Sequence, residues 1–365
     1  MDAKTTQLLG EGSSRGEAFA FTGTWKEFLP IALTNLLLTI VTLGIYRFWA
    51  KARERQYFWS RTRMIDDHLE WTGTGKEMFL GFLMVFLALI PVIGLIFVAT
   101  YLFTGNTLAK ILGGLLMLAV YGGLFYMTGV ASLRALRYRL SRTYWHGIRG
   151  GSNDGGWRYG LEYMWRTLAM FFSLFIATPW AQTRLWNARF NKMSFGQHRF
   201  EAEADSSGLM GRWLIIYAII IGTLAVVLAV GASMGGMQPS STGAPALALL
   251  AIAAFFAFYI ALPLAALAYY AAYYRRVAET TGIAGMRFRF HARTMDWLLL
   301  ILGHAGLVII TLGIGALFIS YRNYSFMVRH LDLDGDVDID LLTQSSTRAP
   351  TDAEGLADAF DIGAI

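Results

Sequence analysis

Residues 42–45 read Thr-Leu-Gly-Ile, and residues 311–314 read the same four residues again. Around this tetrapeptide the chain matches itself without gaps at an offset of 269 residues. Glu27-Phe28 pairs with Asp296-Trp297, Asn35 with His304, Arg53 with Arg322 and Tyr57 with Phe326. A fainter third copy lies about halfway, at an offset of 136, where Thr178 matches Thr42 and Asn187-Ala188-Arg189 matches Lys51-Ala52-Arg53. A repeat in fixed register is expected to be one structural unit used several times, so it comes before any other reading of the fold. The repeated unit is an apolar segment with basic residues on both flanks, at 28–49, 162–183 and 297–320.

Of the 365 residues, 55% are hydrophobic and only 15% charged. Ordinary soluble domains carry about 25% charged residues, so the chain reads as a membrane protein. Stretches free of Asp, Glu, Lys and Arg cover 28–46, 78–109, 111–133, 167–183, 213–274 and 297–321. A bilayer core takes about 20 apolar residues as helix, and 213–274 is long enough for two passes. Seven helical segments are expected, at 28–49, 78–102, 108–132, 162–183, 211–232, 247–274 and 297–320. Residues 1–20 are polar, without the apolar centre of a secretory signal. The absence of cysteine excludes a disulfide framework, thiolate chemistry and a cysteine-bearing zinc site. The formal charge of +6 falls mostly in loops beside the apolar runs. Membrane topology and anionic headgroups explain it more economically than nucleic acid, for which the chain has no groove-reading module.

The loops are of two kinds. Residues 103–107 and 231–245 are short and uncharged, whereas 47–77, 134–166, 184–212 and 275–296 are long and basic. Short basic loops stay in the cytoplasm, so every long loop votes for the same side. Segments 78–102 with 108–132, and 211–232 with 247–274, then read as transmembrane hairpins. The three repeated segments do not fit a full crossing. Either they are re-entrant or interfacial, which the charge pattern favours, or the rule is broken twice. Pro179 in the middle copy also favours a broken element.

Two octapeptides mark the way into the membrane: FTGTWKEF at 21–28 and WTGTGKEM at 71–78. Each has a Thr three residues before a Glu, the spacing of a capping box. Alternating residues before each octapeptide suggest a short strand, and Gly23 and Gly73 would allow a turn with positive φ. Similar alternation occurs at 198–205, 287–294 and 330–340, the last with acids on one face. These strands should form a cytoplasmic layer, since open strand edges cannot lie in lipid. The expected fold is therefore mainly α, a polytopic membrane protein. It has internal repeats of one short or re-entrant helix plus a transmembrane hairpin, with short cytoplasmic β-strands. The expected division is a polar segment at 1–20, membrane repeats at 21–160 and 161–289, a partial third repeat with a terminal strand at 290–342, and a mobile tail at 343–365.

No nucleophile elbow, P-loop or zinc-protease helix motif is present, and no cofactor is implied. The acidic run after His330 lacks the Gly and Glu positions of a calcium loop. His68, His198 and His330 lack neighbouring metal ligands at usable spacing. Five residues stand out as binding or anchoring candidates. Asn35 and His304 are polar groups at matching positions inside apolar segments, where such groups either bind a ligand or bond across a helix interface. Arg53, Arg189 and Arg322 would repeat one anchor three times, to a helix C-terminus or a lipid phosphate.

The block NLLLTIVTLGIYRFWAKARERQYFWSRT followed by HLEWTGTGKE resembles the YjgN-like bacterial inner-membrane proteins, a family of unknown function. RYRLSRTYWHGI and the second Thr-Leu-Gly before Arg322 carry the resemblance through most of the chain. It implies a bacterial cytoplasmic-membrane location and supplies no substrate or catalytic residue. The expected partners are membrane lipids, including anionic headgroups, with a protein partner or homo-oligomer left open. Two functions follow: transport or lipid handling with a site among the three repeated segments, or a scaffold that docks a partner on its β layer.

Overall fold

The computed structural model describes residues 18–235, 244–335 and 343–347. Strand β1 (Phe19–Phe21) leads into helices α1 (Trp25–Val41) and α2 (Arg47–Ser60). Strands β2 (Thr62–Met64), β3 (Asp67–His68) and β4 (Glu70–Trp71) lead into α3 (Gly75–Leu102) and α4 (Thr107–Ser141). Strands β5 (Thr143–Trp145) and β6 (Ile148–Gly151) precede α5 (Trp157–Phe172) and α6 (Thr178–Phe190). Strands β7 (Ser194–Phe195) and β8 (His198–Ala202) precede α7 (Leu209–Gly235) and α8 (Ala244–Glu279). Finally β9 (Thr281–Ile283) and β10 (Met286–Phe290) precede α9 (Thr294–Ile310), a 3₁₀ turn (Ile314–Phe318), α10 (Ile319–His330) and β11 (Leu331–Asp334).

Among the described residues the pattern is five helix pairs, three short and two long in alternation, and every pair returns to where it began. The strand leading into each pair is bonded to the segment leaving it. Thr22 N donates to Arg61 O, Thr72 N to Arg142 O, Glu203 N to Thr280 O and His291 N to His330 O. In the third pair Ser152 Oγ donates to Lys192 O at 2.6 Å. All the long loops therefore lie at one end of the helices. There they join into a three-stranded sheet in the order β1-β2-β3 and an eight-stranded sheet running from β11 through β10 to β4. Ala18 N donates to the Asp332 carboxylate at 3.0 Å, which brings the first described strand beside the last.

Among the described residues, four helices are long and apolar enough to cross a membrane: α3, α4, α7 and α8. The 28 residues of α3 span about 42 Å, more than a hydrocarbon core of about 30 Å. The 17 residues of α1 reach only about 25 Å, and the chain then reverses. The expected single helices over 28–49, 162–183 and 297–320 are thus corrected to helix–turn–helix pairs.

The three reversals share one chemistry. Thr42, Ser173 and Thr311 each donate a hydroxyl hydrogen to the preceding turn, at Leu38 O, Met170 O and Leu307 O. Each hydroxyl oxygen also accepts the N–H four residues on, Thr42 Oγ1 from Tyr46, Ser173 Oγ from Ala177 and Thr311 Oγ1 from Gly315. Between them the backbone swings to positive φ, at Leu43 and Gly44, Leu174 and Phe175, and Leu312 and Gly313. Non-glycine residues rarely adopt this region, and here the two bonds of the hydroxyl hold them in it.

The middle reversal corrects the sequence register. It begins at Ser173, 131 positions after Thr42, and not at Thr178. The β-turn residues Ile65 and Gly196, both with positive φ, keep the same spacing. Arg184, not Arg189, therefore stands opposite Arg53. The short match of Asn187-Ala188-Arg189 misled because the middle copy has Ser-Leu-Phe where the others have Thr-Leu-Gly.

Both octapeptides are joints between strand and helix. Thr24 and Thr74 accept from the N–H of Glu27 and Glu77 at 3.4 and 3.3 Å. The carboxylates turn to the returning helix: Glu27 to Tyr57 Oη and Arg61, both at 3.4 Å, and Glu77 to Tyr138 Oη and Arg142, both at 3.1 Å. Gly23 and Gly73 are absent from the positive-φ residues, contrary to expectation. Their role is room, because a Cβ would lie 2.6 Å from Phe21 Cζ or 2.7 Å from Trp71 Cζ2.

The acidic strand is matched by a basic one. Arg287 lies opposite Asp334 and Arg289 opposite Asp332, with Arg289 also paired to Asp334. Residues 336–340 of the expected terminal strand lie outside the described residues. At the start of the expected tail, Gln344 Nε2 donates to Gly147 O at 2.8 Å, and Arg149 bonds to Gln344 Oε1 and to Thr347 O. Residues 348–365 lie outside the described residues.

Candidate functional site

The two ends of the chain meet in an aromatic seam. Phe58 stacks on Tyr324 at 4.6 Å, and Phe28 on Tyr321 at 5.6 Å. Tyr324 Oη shares a hydrogen with Thr62 Oγ1 at 2.8 Å, and Tyr321 Oη donates to Gly23 O at 3.0 Å. The seam joins the first and third short pairs near the β layer. Between the same two pairs, α1, α2 and the third reversal enclose an open cleft of about 350 Å³.

Asn35 forms the cleft's polar wall. It is 4% exposed, and its Nδ2 donates to Ala50 O at 3.3 Å. Its Oδ1 has no hydrogen-bond partner among the described residues. Arg47, Lys51 and Glu54 of α2 and Ser320 of α10 line the opposite side. Spacings of four and three residues put the three charged groups on one helix face. The cleft is thus lined by two cations, a carboxylate, a hydroxyl and a buried amide. Around it stand apolar side chains exposed as lipid would require, among them Leu37, Ile40 and Val41.

Of the five candidates, Asn35 alone enters this cleft. Arg53 donates to Tyr46 Oη at 3.1 Å. His304 and Arg322 face each other electrostatically within the third short pair, and a Cβ on Gly303 would strike the Arg322 guanidinium. Arg189 lies over the rings of Trp186 and Phe190, 5.6 Å from each centroid. Sequence reasoning missed Arg47, Lys51, Glu54 and Ser320 as a group. The stripe at positions 47, 51 and 54 was the available signal, but its alignment with Asn35 depends on the reversal at Thr42.

A second cavity, of about 160 Å³, lies within the β layer and is apolar. Met64, Trp145, Phe195 and Met286, from four different β-hairpins, are among its lining residues. The rim is tied by His146 to Asp66 at 2.9 Å and by Trp145 Nε1 to Met64 O at 2.9 Å. Its lining lacks the charged groups of the first cleft.

The family described as bacterial protein of unknown function (DUF898) matches residues 16–359. The chain belongs to this family. It is 22% identical to the inner membrane protein YjgN of Salmonella typhimurium, across 91% of this chain and 92% of that protein. It is 26% identical to the inner membrane protein YjgN of Escherichia coli O157:H7, across 40% of this chain and 34% of that protein. No solved structure matches the chain. The family likeness spans all five described helix pairs.

Proposed function

We propose that the protein sits in the bacterial inner membrane with its β layer in the cytoplasm, and that it handles an amphiphile with an anionic headgroup. The two long pairs cross the bilayer, and the three short pairs enter it and return. The cleft between the first and third short pairs receives the headgroup, with Arg47 and Lys51 attracting it and Asn35 bonding to it. Transport across the membrane is the larger activity that such a site would serve. Broken membrane helices at corresponding positions are a common setting for a transported substrate.

One observation carries the reading. A buried amide oxygen without a partner faces charged groups in a cleft bordered by lipid-like exposure. Buried polar groups are normally satisfied, and an unpaired one costs about 1–3 kcal/mol, which a bound hydroxyl or ammonium group would offset. Native mass spectrometry in nanodiscs containing phosphatidylglycerol tests it. Asn35→Leu and Arg47→Gln/Lys51→Gln should each lose bound lipid about tenfold. Full retention in both variants contradicts the reading.

A scaffold role draws less support. On the last strand of the β layer, Asp332 and Asp334 are bonded within the chain to Ala18 N and Arg289.

A further inference from the structure

Arg53 and Arg322 occupy matching places in the first and third short pairs, yet their surroundings differ. Arg53 has an acceptor, Tyr46 Oη at 3.1 Å. The residue matching Tyr46 in the third pair is Gly315, which brings no hydroxyl. Arg322 instead folds back over Gly303 on α9, where any Cβ would strike it. Its Nε is buried without a hydrogen-bond partner among the described residues, and so is Nε2 of His304 beside it. Trp297 Nε1, seven residues before His304 and on the same face of α9, is a third such group. The one acid on α9, Asp296, is committed to the Arg293 N–H at 2.7 Å.

Three nitrogens thus line the inner face of the third short pair, one of them on a permanent cation. Outside them stand Leu299, Leu302 and Ile301, all exposed. A cation in apolar surroundings is costly unless an anion pairs with it. We propose that Arg322 and His304 hold one phosphate oxyanion, in a site separate from the Asn35 cleft. The guanidinium would grip two phosphate oxygens in its planar fork, and His304 would donate to a third. The apolar flank on α9 suits the acyl chains of a phospholipid. The proposal rests on the same lipid-handling reading and gives it a second, phosphate-selective contact.

Bound lipids are counted by native mass spectrometry on the full chain in nanodiscs of phosphatidylglycerol or phosphatidylcholine, with inorganic phosphate as competitor. Arg322→Gln should weaken one bound phospholipid about tenfold, the loss expected for one charged hydrogen-bonding group, and Arg53→Gln should not. Displacement by inorganic phosphate would assign the site to free phosphate, and its failure to displace would assign it to a lipid headgroup. Arg322→Lys keeps the charge without the fork and guards against misfolding, with an expected loss of several-fold. Wild-type binding in a folded Arg322→Gln or Arg322→Lys overturns the proposal. Loss in Asn35→Leu but not in Arg322→Gln removes only the phosphate site, and the converse removes only the cleft.

Discussion

The indole N–H of Trp213 donates to the carbonyl of Phe175 at 2.8 Å. Phe175 is at the tip of the second short pair, and Trp213 lies in the second turn of α7. One turn further along α7, the Tyr217 hydroxyl donates to Leu174 O. The tip is thereby fastened one to two turns above the β layer, roughly 6–12 Å along a crossing helix. At that depth the tip stops well short of the far end of α7.

Removing this fastening should loosen the tip without unfolding the protein. Trp213→Phe loses one hydrogen bond to a strained carbonyl, about 1 kcal/mol. Thermal unfolding in detergent should show a drop of a few degrees, and a cysteine placed at Leu174 should label faster. Unchanged labelling would mean that packing, not the bond, holds the tip.

The variable residue of the twin octapeptides separates two kinds of joint. Trp25 is 53% exposed, whereas a Cβ on Gly75 would lie 2.6 Å from Trp49 Cα. Gly75→Ala should therefore destabilise by about 1–3 kcal/mol, although alanine is the better helix former. Trp25→Gly should cost about 1 kcal/mol at most. The two unfolding midpoints, measured side by side, check the ranking.

Loss of a cap should be felt equally at both joints. Thr24→Ala and Thr74→Ala each remove one side-chain acceptor, for about 1 kcal/mol. Glu77→Ala should cost more than either, since it also strips Tyr138 and Arg142 of their partner. Chemical unfolding of the three variants gives the order.

The Tyr57 hydroxyl is pushed up to about 12 by burial, with the neighbouring Glu27 carboxylate adding to it. A raised value in the folded state means stability that is intact below the unfolded value of about 10 and lost as pH climbs from there towards 12. Tyr57→Phe should flatten that part of the alkaline unfolding curve. An unchanged slope would contradict the assignment.

The sequence already showed the alternation of short and long apolar segments, since charge-free length and basic flanks depend only on local composition. Self-matching also read 28–49, 162–183 and 297–320 as copies of one unit. The reversal inside each was hidden, because Leu43, Leu174, Leu312 and Phe175 take positive φ on the strength of two hydroxyl bonds. Ser173 replaces threonine in the middle copy, so the register slipped and Arg189 was chosen over Arg184. The cleft was legible only at Asn35. Its other wall comes from α2 and from Ser320, which approach only when residues some 300 positions apart close the aromatic seam at Tyr321 and Tyr324.

The chain has no cysteine, so single cysteines can be introduced for labelling from either face of the membrane. Placed at Asp66, Gln197, Gly285 and Thr104, they test most directly whether the short pairs enter and return. The expected result is that Asp66, Gln197 and Gly285 label from the cytoplasmic face and Thr104 from the opposite face. Labelling of Gln197 and Gly285 from the same face as Thr104 would mean that the second short pair crosses, and would contradict the fold's single β layer.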